Sequence, residues 1–171
     1  KYHVKSVKPL PRRKLYEKVP LMDCFTAPCK GGCPIQQDIP EYIELCRKGR
    51  YDSALRLICE KNPLPFITGT ICAHRCQTKC TRNFYDDSVQ IRSTKLVAAE
   101  RGYEAYVSKL KPTAPVKDSR KVAVIGGGPT GMAAAYFVGR AGIPVTVFEK
   151  SDRLGGIVRQ VIPGFRISDE A

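Results

Sequence analysis

The sequence predicts an α + α/β chain: a small all-helical domain over residues 23–110, then an incomplete βαβ segment over residues 121–171. Three observations predict it. Six of the eight cysteines fall in two tight groups, Cys24-x4-Cys29-x3-Cys33-Pro34 and Cys72-x3-Cys76-x3-Cys80, with helical periodicity between them. Residues 111–120, KPTAPVKDSR, have the composition of a linker. Beyond them an apolar run, KVAVI, leads directly into GGGPTG and an alanine-rich stretch.

Each element has its own justification. Residues 1–22 read as an extended basic arm, because Pro9, Pro11 and Pro20 forbid a long helix. In the first cysteine group Pro28, Gly31, Gly32 and Pro34 keep the backbone in turns, which can wrap thiolates and aim N–H groups at them. A helix starts at Ile39, with Pro40 in its first turn, Glu41 and Glu44 near its positive end and Gly49 as its stop. A second runs from Tyr51 to about Lys61, placing Ala54, Leu55 and Ile58 on one face until Asn62-Pro63 ends it. Cys72, Cys76 and Cys80 have helix-compatible spacing. On an unbroken helix they would drift by about 40° per step and still face one side. After a polar turn over residues 83–88, residues 89–110 form a longer helix carrying Ile91, Leu96, Ala99, Tyr103 and Tyr106. Past the linker, residues 121–125 read as a buried strand, 128–141 as a helix and 145–149 as a second strand.

Composition narrows the function classes. No apolar run approaches the ~20 residues that span a bilayer, and residues 1–22 do not have the pattern of a secretory signal. The chain does not begin with methionine, so it is expected to be a piece of something longer. Even-numbered cysteines suggest disulfides in small secreted domains, but the missing export signal and the glycine-rich motif downstream favour reduced thiols and a cytoplasmic setting. A net charge of +13 would suit nucleic acid. The basic residues are spread along the chain, however, without aromatic–basic repeats or a nucleic-acid module, so acidic cofactors or an acidic remainder are the preferred counterpart. No membrane partner is expected.

The downstream motif is the more specific half. Gly126-Gly127-Gly128-Pro129-Thr130-Gly131 satisfies G-x-G-x-x-G, follows a predicted strand, opens a helix and is answered by Glu149 at the end of the next strand. That is the Rossmann-like context for a dinucleotide. Gly126 makes the tight turn, Gly128 lets the backbone approach a pyrophosphate at the helix N-terminus with Pro129 in the first turn, and Gly131 lets the helix lie close on the strand. Glu149 would accept hydrogen bonds from ribose hydroxyls. Among the cysteines, the x3 and x4 spacings fit zinc poorly, since zinc sites favour C-x2-C pairs. Cys46 and Cys59, alone in amphipathic helices, read as buried and inert. The six grouped thiols read best as iron–sulfur ligands, with Cys33-Pro34 matching the end of bacterial ferredoxin motifs.

These stretches carry a resemblance. CFTAPCKGGCP, DIPEYIELCRKGRYDSAL, NPLPFITGTICAHRCQTKC and VAVIGGGPTGMAAAYF resemble the N-terminal iron–sulfur domain and start of the FAD domain in the glutamate synthase small subunit and dihydropyrimidine dehydrogenase family. Within that family the chain also resembles the selenate reductase iron–sulfur subunit. Glu149 separated by five residues from Gly155-Gly156 resembles the extended motif of flavoproteins that bind two dinucleotides, which holds FAD; Ile162-Pro-Gly-Phe-Arg166 resembles a segment of one branch. The resemblance implies one or two [4Fe-4S] clusters exchanging electrons with FAD. It assigns Cys24, Cys29 and Cys80 to one cluster, and Cys33, Cys72 and Cys76 to the other. Each set has three members. Where the family has another cysteine three residues before Cys24, this chain has Leu21. The position of the second cluster's remaining ligand falls near Lys95 or Thr68, both poor iron ligands.

The functional expectation is an electron-transfer module of a flavin- and nicotinamide-dependent oxidoreductase, part of a longer chain and inactive alone. The NAD(P)H site would lie outside these residues, the partners would be the remainder of the chain and a redox partner subunit or domain, and FAD would bind the isolated chain weakly. No side chain reads as a general base or nucleophile. The alternative is a non-enzymatic basic helical domain, zinc-loaded or metal-free, that docks to protein or nucleic acid.

Overall fold

A computed structural model describes residues 26–84, 86–117 and 120–170. The predicted arm and Cys24 lie outside the described residues.

Pro28 opens a single helical turn, α1 (Pro28–Gly31), and α2 (Ile39–Arg47) follows with Pro40 in its first turn and Gly49 just past its end at φ +72°. Next come α3 (Tyr51–Cys59), α4 (Pro65–Ile71), the short α5 (Arg75–Thr78) and a 3-10 turn over Thr81–Phe84. The long α6 (Ile91–Ser108) closes the helical half. α2, α3 and α4 all pack on α6. Tyr42, Ile39 and Ile58 are fully buried in a core that also holds Ala54, Cys76, Ile91 and Ala98. Each large side chain sealed in this way contributes about 1.5–3 kcal/mol.

The α4 helix was not legible as such from apolar periodicity. Its start is set by Pro65, whose missing N–H costs nothing in the first turn. Asn62 pins that start from before it, accepting from the Leu64 N–H (3.2 Å) and donating to the Thr68 hydroxyl (2.6 Å). The second cysteine group departs from the unbroken-helix geometry. Cys72 is extended (φ −59°, ψ 137°) and His74 is left-handed (φ 42°, ψ 41°), so only Cys76 is helical, on α5. The break is held by Arg92 of α6, which donates to the Cys72 carbonyl at 3.1 Å, taking that oxygen out of any helical ladder.

The second half is β1 (Val122–Ile125), α7 (Pro129–Arg140), β2 (Val145–Phe148) and a short α8 (Ile157–Gln160). β1 and β2 pair in parallel, with Val122 opposite Val145 and Ile125 opposite Phe148. The right class of unit, βαβ, is therefore present. The expectation of a buried strand is corrected: Ile125 is 82 % exposed, and only the alternate residues Val122 and Val124 are covered. The described sheet has two strands, and α7 shields one face of it.

The halves touch through α7. Tyr136 and Arg140 both donate to the Cys59 carbonyl at 3.1 Å, satisfying one of the free oxygens at the C-terminus of α3. The Tyr136 ring packs with Phe66 and Tyr106 against buried Leu55, Cys59 and Ala99. The linker is tied as well, with the Val116 N–H donating to the Gly142 carbonyl at 2.8 Å.

Candidate metal centre and dinucleotide site

The two cysteine groups meet because α1 packs on α5. Gly32, directly before Cys33, makes this possible. A side-chain carbon there would stand 3.3 Å from the Cys76 Cα and 2.9 Å from the Lys79 side chain. The loop after Cys33 is fastened to the end of α3: Gln37 donates to the Ile58 carbonyl (3.1 Å) and Lys61 to the Gln36 carbonyl (2.7 Å). Asp38, held by Lys30 and Lys61, has its carboxyl below the usual range, chiefly through the Lys30 hydrogen bond.

Of the six grouped cysteines, the five described ones come together. Cys76 and Cys80 are buried, and Cys29, Cys33 and Cys72 are partly buried. The Cys29 thiol is pushed up by burial and also feels Cys80 and Cys33. Cys76 is likewise pushed up by burial, then by Cys33 and Cys72. The neighbours thus sort as Cys29 beside Cys80, and Cys76 beside Cys33 and Cys72, with Cys33 between the two sets. No three His, Cys, Asp or Glu side chains among the described residues converge tightly enough to grip a single metal ion. A mononuclear zinc site requires that convergence, whereas thiolates around a multi-iron cluster each reach a different iron and stand farther apart.

Other groups surround the thiols. The His74 N–H points at the Cys72 sulfur at 3.4 Å, and the His74 ring nitrogen Nδ1 lies 3.2 Å from both the Cys72 carbonyl and Arg92. His74 is therefore a turn residue tied to Cys72. The residue that sequence patterning did not single out as a core position is Lys95, 6 % exposed on the inner stripe of α6. Burial lowers its pKa, opposed by the thiols of Cys72, Cys33 and Cys76. A charged residue in an apolar stripe, with Ile91 four residues before and Ala98 three after, is the signal that marks it. Cys46 and Cys59 stand apart in α2 and α3. Burial raises both, Cys59 to about 11.

In the second half Gly126 turns at φ +99°, and α7 starts at Pro129 with Gly128 as the residue before it. Gly131 has no room for a side chain, since a Cβ would fall 1.8 Å from the Gly126 carbonyl oxygen. Gly128 opens outward; a Cβ there would meet nothing nearer than Gly156 at 3.9 Å. Glu149 accepts from the N–H groups of Gly127 (2.5 Å) and Ser151 (2.9 Å), which hold its carboxyl below the usual range, the Ser151 bond first. An ionised carboxylate has about four acceptor positions, so two remain for hydroxyl donors. Gly155 and Gly156 close over the same turn, with the Gly155 N–H donating to the Gly127 carbonyl at 2.9 Å. Between this turn and α4 lies a cavity of about 290 Å³ lined by Leu64, Ile67, Met132 and Leu154 among others.

Comparison with known proteins agrees on both halves. The family model described as dihydropyrimidine dehydrogenase domain II, 4Fe-4S cluster, matches residues 16–106, and one described as an NAD(P)-binding Rossmann-like domain matches residues 124–168. Escherichia coli (strain K12) has a protein named as an oxidoreductase, YgfK, that is 49% identical over 169 residues, 99% of this chain and 16% of that protein. The NADPH-Fe(3+) oxidoreductase subunit beta of Geobacter sulfurreducens is 38% identical over 85% of this chain and 22% of its own length. The glutamate synthase [NADPH] small chain of Mycobacterium tuberculosis is 37% identical over 85% of this chain and 30% of its own. The chain thus spans between 16% and 30% of these relatives.

Proposed function

We propose, from the premise that the chain belongs to the family of dihydropyrimidine dehydrogenase domain II, a 4Fe-4S cluster domain, that it is the electron-transfer module of a flavin- and nicotinamide-dependent oxidoreductase. The observation that carries this reading is the meeting of the two cysteine groups across α1 and α5, in a chain whose α7 ties the dinucleotide segment to the end of α3 in the same helical half. Named relatives include two NADPH-dependent oxidoreductases, which supports the class of reaction.

The donor set fits iron–sulfur clusters: soft thiols from two chain segments, partly to fully buried away from solvent. In this reading Cys33, Cys72 and Cys76 hold one cluster, and Cys29 and Cys80, with Cys24, hold the other. Bound clusters would supply one-electron transfer. The chain's own residues do the rest. The His74 N–H steadies the Cys72 sulfur, Arg92 fixes the turn that aims it, and Gly32 sets the distance between the two cysteine groups.

The glycine turn fits a dinucleotide, and we assign FAD. Gly126, Gly128, Pro129 and Gly131 form the pyrophosphate turn, Glu149 offers its free acceptor positions to the ribose, and Gly155-Gly156 close the site as the extended flavoprotein motif requires. The division into an arm (residues 1–22), a cluster domain (23–110), a linker (111–120) and a dinucleotide segment (121–171) follows from this reading. NAD(P)H and a redox partner would act on other parts of the protein. No helix among the described residues is long and apolar enough to cross a membrane, and we place the protein in the cytoplasm.

Anaerobic reconstitution with iron and sulfide tests the reading. The expected result is at least about one four-iron cluster per chain with broad visible absorption. Stoichiometric zinc without sulfide, or no metal, refutes it.

A further inference from the structure

Lys95 is the one charged side chain that the fold buries among the described residues. Long charged side chains are almost never sealed unless paired. No ion pair or side-chain hydrogen bond among the described residues includes it, and no fully sealed side-chain nitrogen or oxygen among them lacks a partner. The groups whose charge acts on it are the Cys72, Cys33 and Cys76 thiols and Arg92. Lys95 lies on the inner stripe of α6 with Ile91 and Ala98, which share their core cluster with Cys76 and pack against Cys33. One turn earlier on that helix, Arg92 grips the carbonyl of Cys72. Gly69 of α4, three residues before Cys72, lies so close to Leu96 that a Cβ there would stand 3.0 Å from its backbone. Lys95 and the segments that carry the three thiols therefore border one another on the inner side of α6.

We propose that the Cys33, Cys72 and Cys76 site binds its cluster through three thiolates only, with Lys95 at the fourth corner as an unbonded cation. The proposal rests on the cluster reading above. A lysine ammonium has three donors and no lone pair, so it can hydrogen-bond a sulfide or thiolate but cannot ligate iron. The iron at that corner has no protein thiolate and is the one that can leave. On oxidation a [4Fe-4S]²⁺ cluster held in this way gives up one electron and one Fe²⁺ and becomes [3Fe-4S]⁺, its three thiolates unchanged. The neighbouring cation also favours the reduced, more negative cluster, which raises the reduction potential.

The test uses anaerobically reconstituted protein: wild type, Lys95→Cys and Lys95→Met. Iron is counted and EPR spectra are taken before and after one equivalent of ferricyanide per cluster, which accepts the electron. Wild type labelled with ¹⁵N-lysine is measured by pulsed EPR. Oxidised wild type should release iron and show the three-iron signal, with no coupling from a directly bound ¹⁵N. Lys95→Cys supplies a fourth thiolate, so the three-iron signal should fall by roughly half or more, the other cluster accounting for the rest. Lys95→Met should keep the iron loss while its cluster is reduced at a lower potential. A bound ¹⁵N, full retention of iron in oxidised wild type, or a Lys95→Cys signal equal to wild type overturns the proposal and leaves the cluster reading intact. Failure to incorporate iron and sulfide at all overturns both. The labelled wild-type measurement decides the question even if a variant misfolds.

Discussion

Cys59 shows how burial alone sets a residue's chemistry. Its thiol is held up to about 11 against an ordinary 9.0, chiefly by desolvation, with Tyr106 and Arg140 pulling the other way. The folded chain therefore keeps this proton longer than the unfolded chain does. The stability tied to it is whole below about pH 9 and is lost as pH rises from 9.0 towards about 11. Urea unfolding of the metal-free protein should weaken over that window with a slope that Cys59→Ala lacks, the difference being at most about 1.4 kcal/mol per pH unit. Parallel slopes for the two proteins would rule this out. The sequence read Cys59 as buried and inert, and it is buried at the end of α3. Lys95 was harder to read. Lysine is ordinarily a surface residue, and only packing shows that its position on α6 points inward.

At the scale of elements, the glycine turn and α7 depend on one contact. Gly131 lets the first turn of α7 lie on the Gly126 carbonyl, where a Cβ would fall 1.8 Å away. Gly131→Ala should cost about 1–3 kcal/mol through overpacking and open the β1–α7 turn. Hydrogen exchange at the α7 N-terminus would report it, and unchanged protection would count against the contact's importance. Helices α2, α3 and α6 were legible because apolar residues recur at helical spacing and proline and glycine mark the ends. The break at Cys72–His74 was not legible, because spacings of four residues suit a helix equally well. Arg92, from 20 residues away in sequence, holds it open.

For the whole molecule the question is how the two halves stay together. Tyr136 and Arg140 converge on the Cys59 carbonyl, and the Tyr136 ring packs over the second core cluster. Replacing them by Tyr136→Phe and Arg140→Met removes about 1 kcal/mol for each hydrogen bond, less for the exposed arginine. Each kilocalorie is about a five-fold change in the docked population. Trypsin should then cut the linker region several-fold faster while the protection of α3 and α6 core amides is kept. No change in cleavage would show that the halves are held by other contacts.

The sequence alone determined which chemistry is present. Cysteine spacing named soft-metal ligands, and strand, glycine turn, helix and acid named a dinucleotide site, because both motifs are local and their mechanics need neighbours in the chain. Only the tertiary structure decided which thiols stand beside which, since Cys29 and Cys80 lie 51 residues apart and meet through α1 on α5. It also decided that Lys95 is buried on the inner stripe of α6, where the Cys72, Cys33 and Cys76 thiols act on its charge. A side chain's surroundings are set by long-range packing, and no local pattern encodes them.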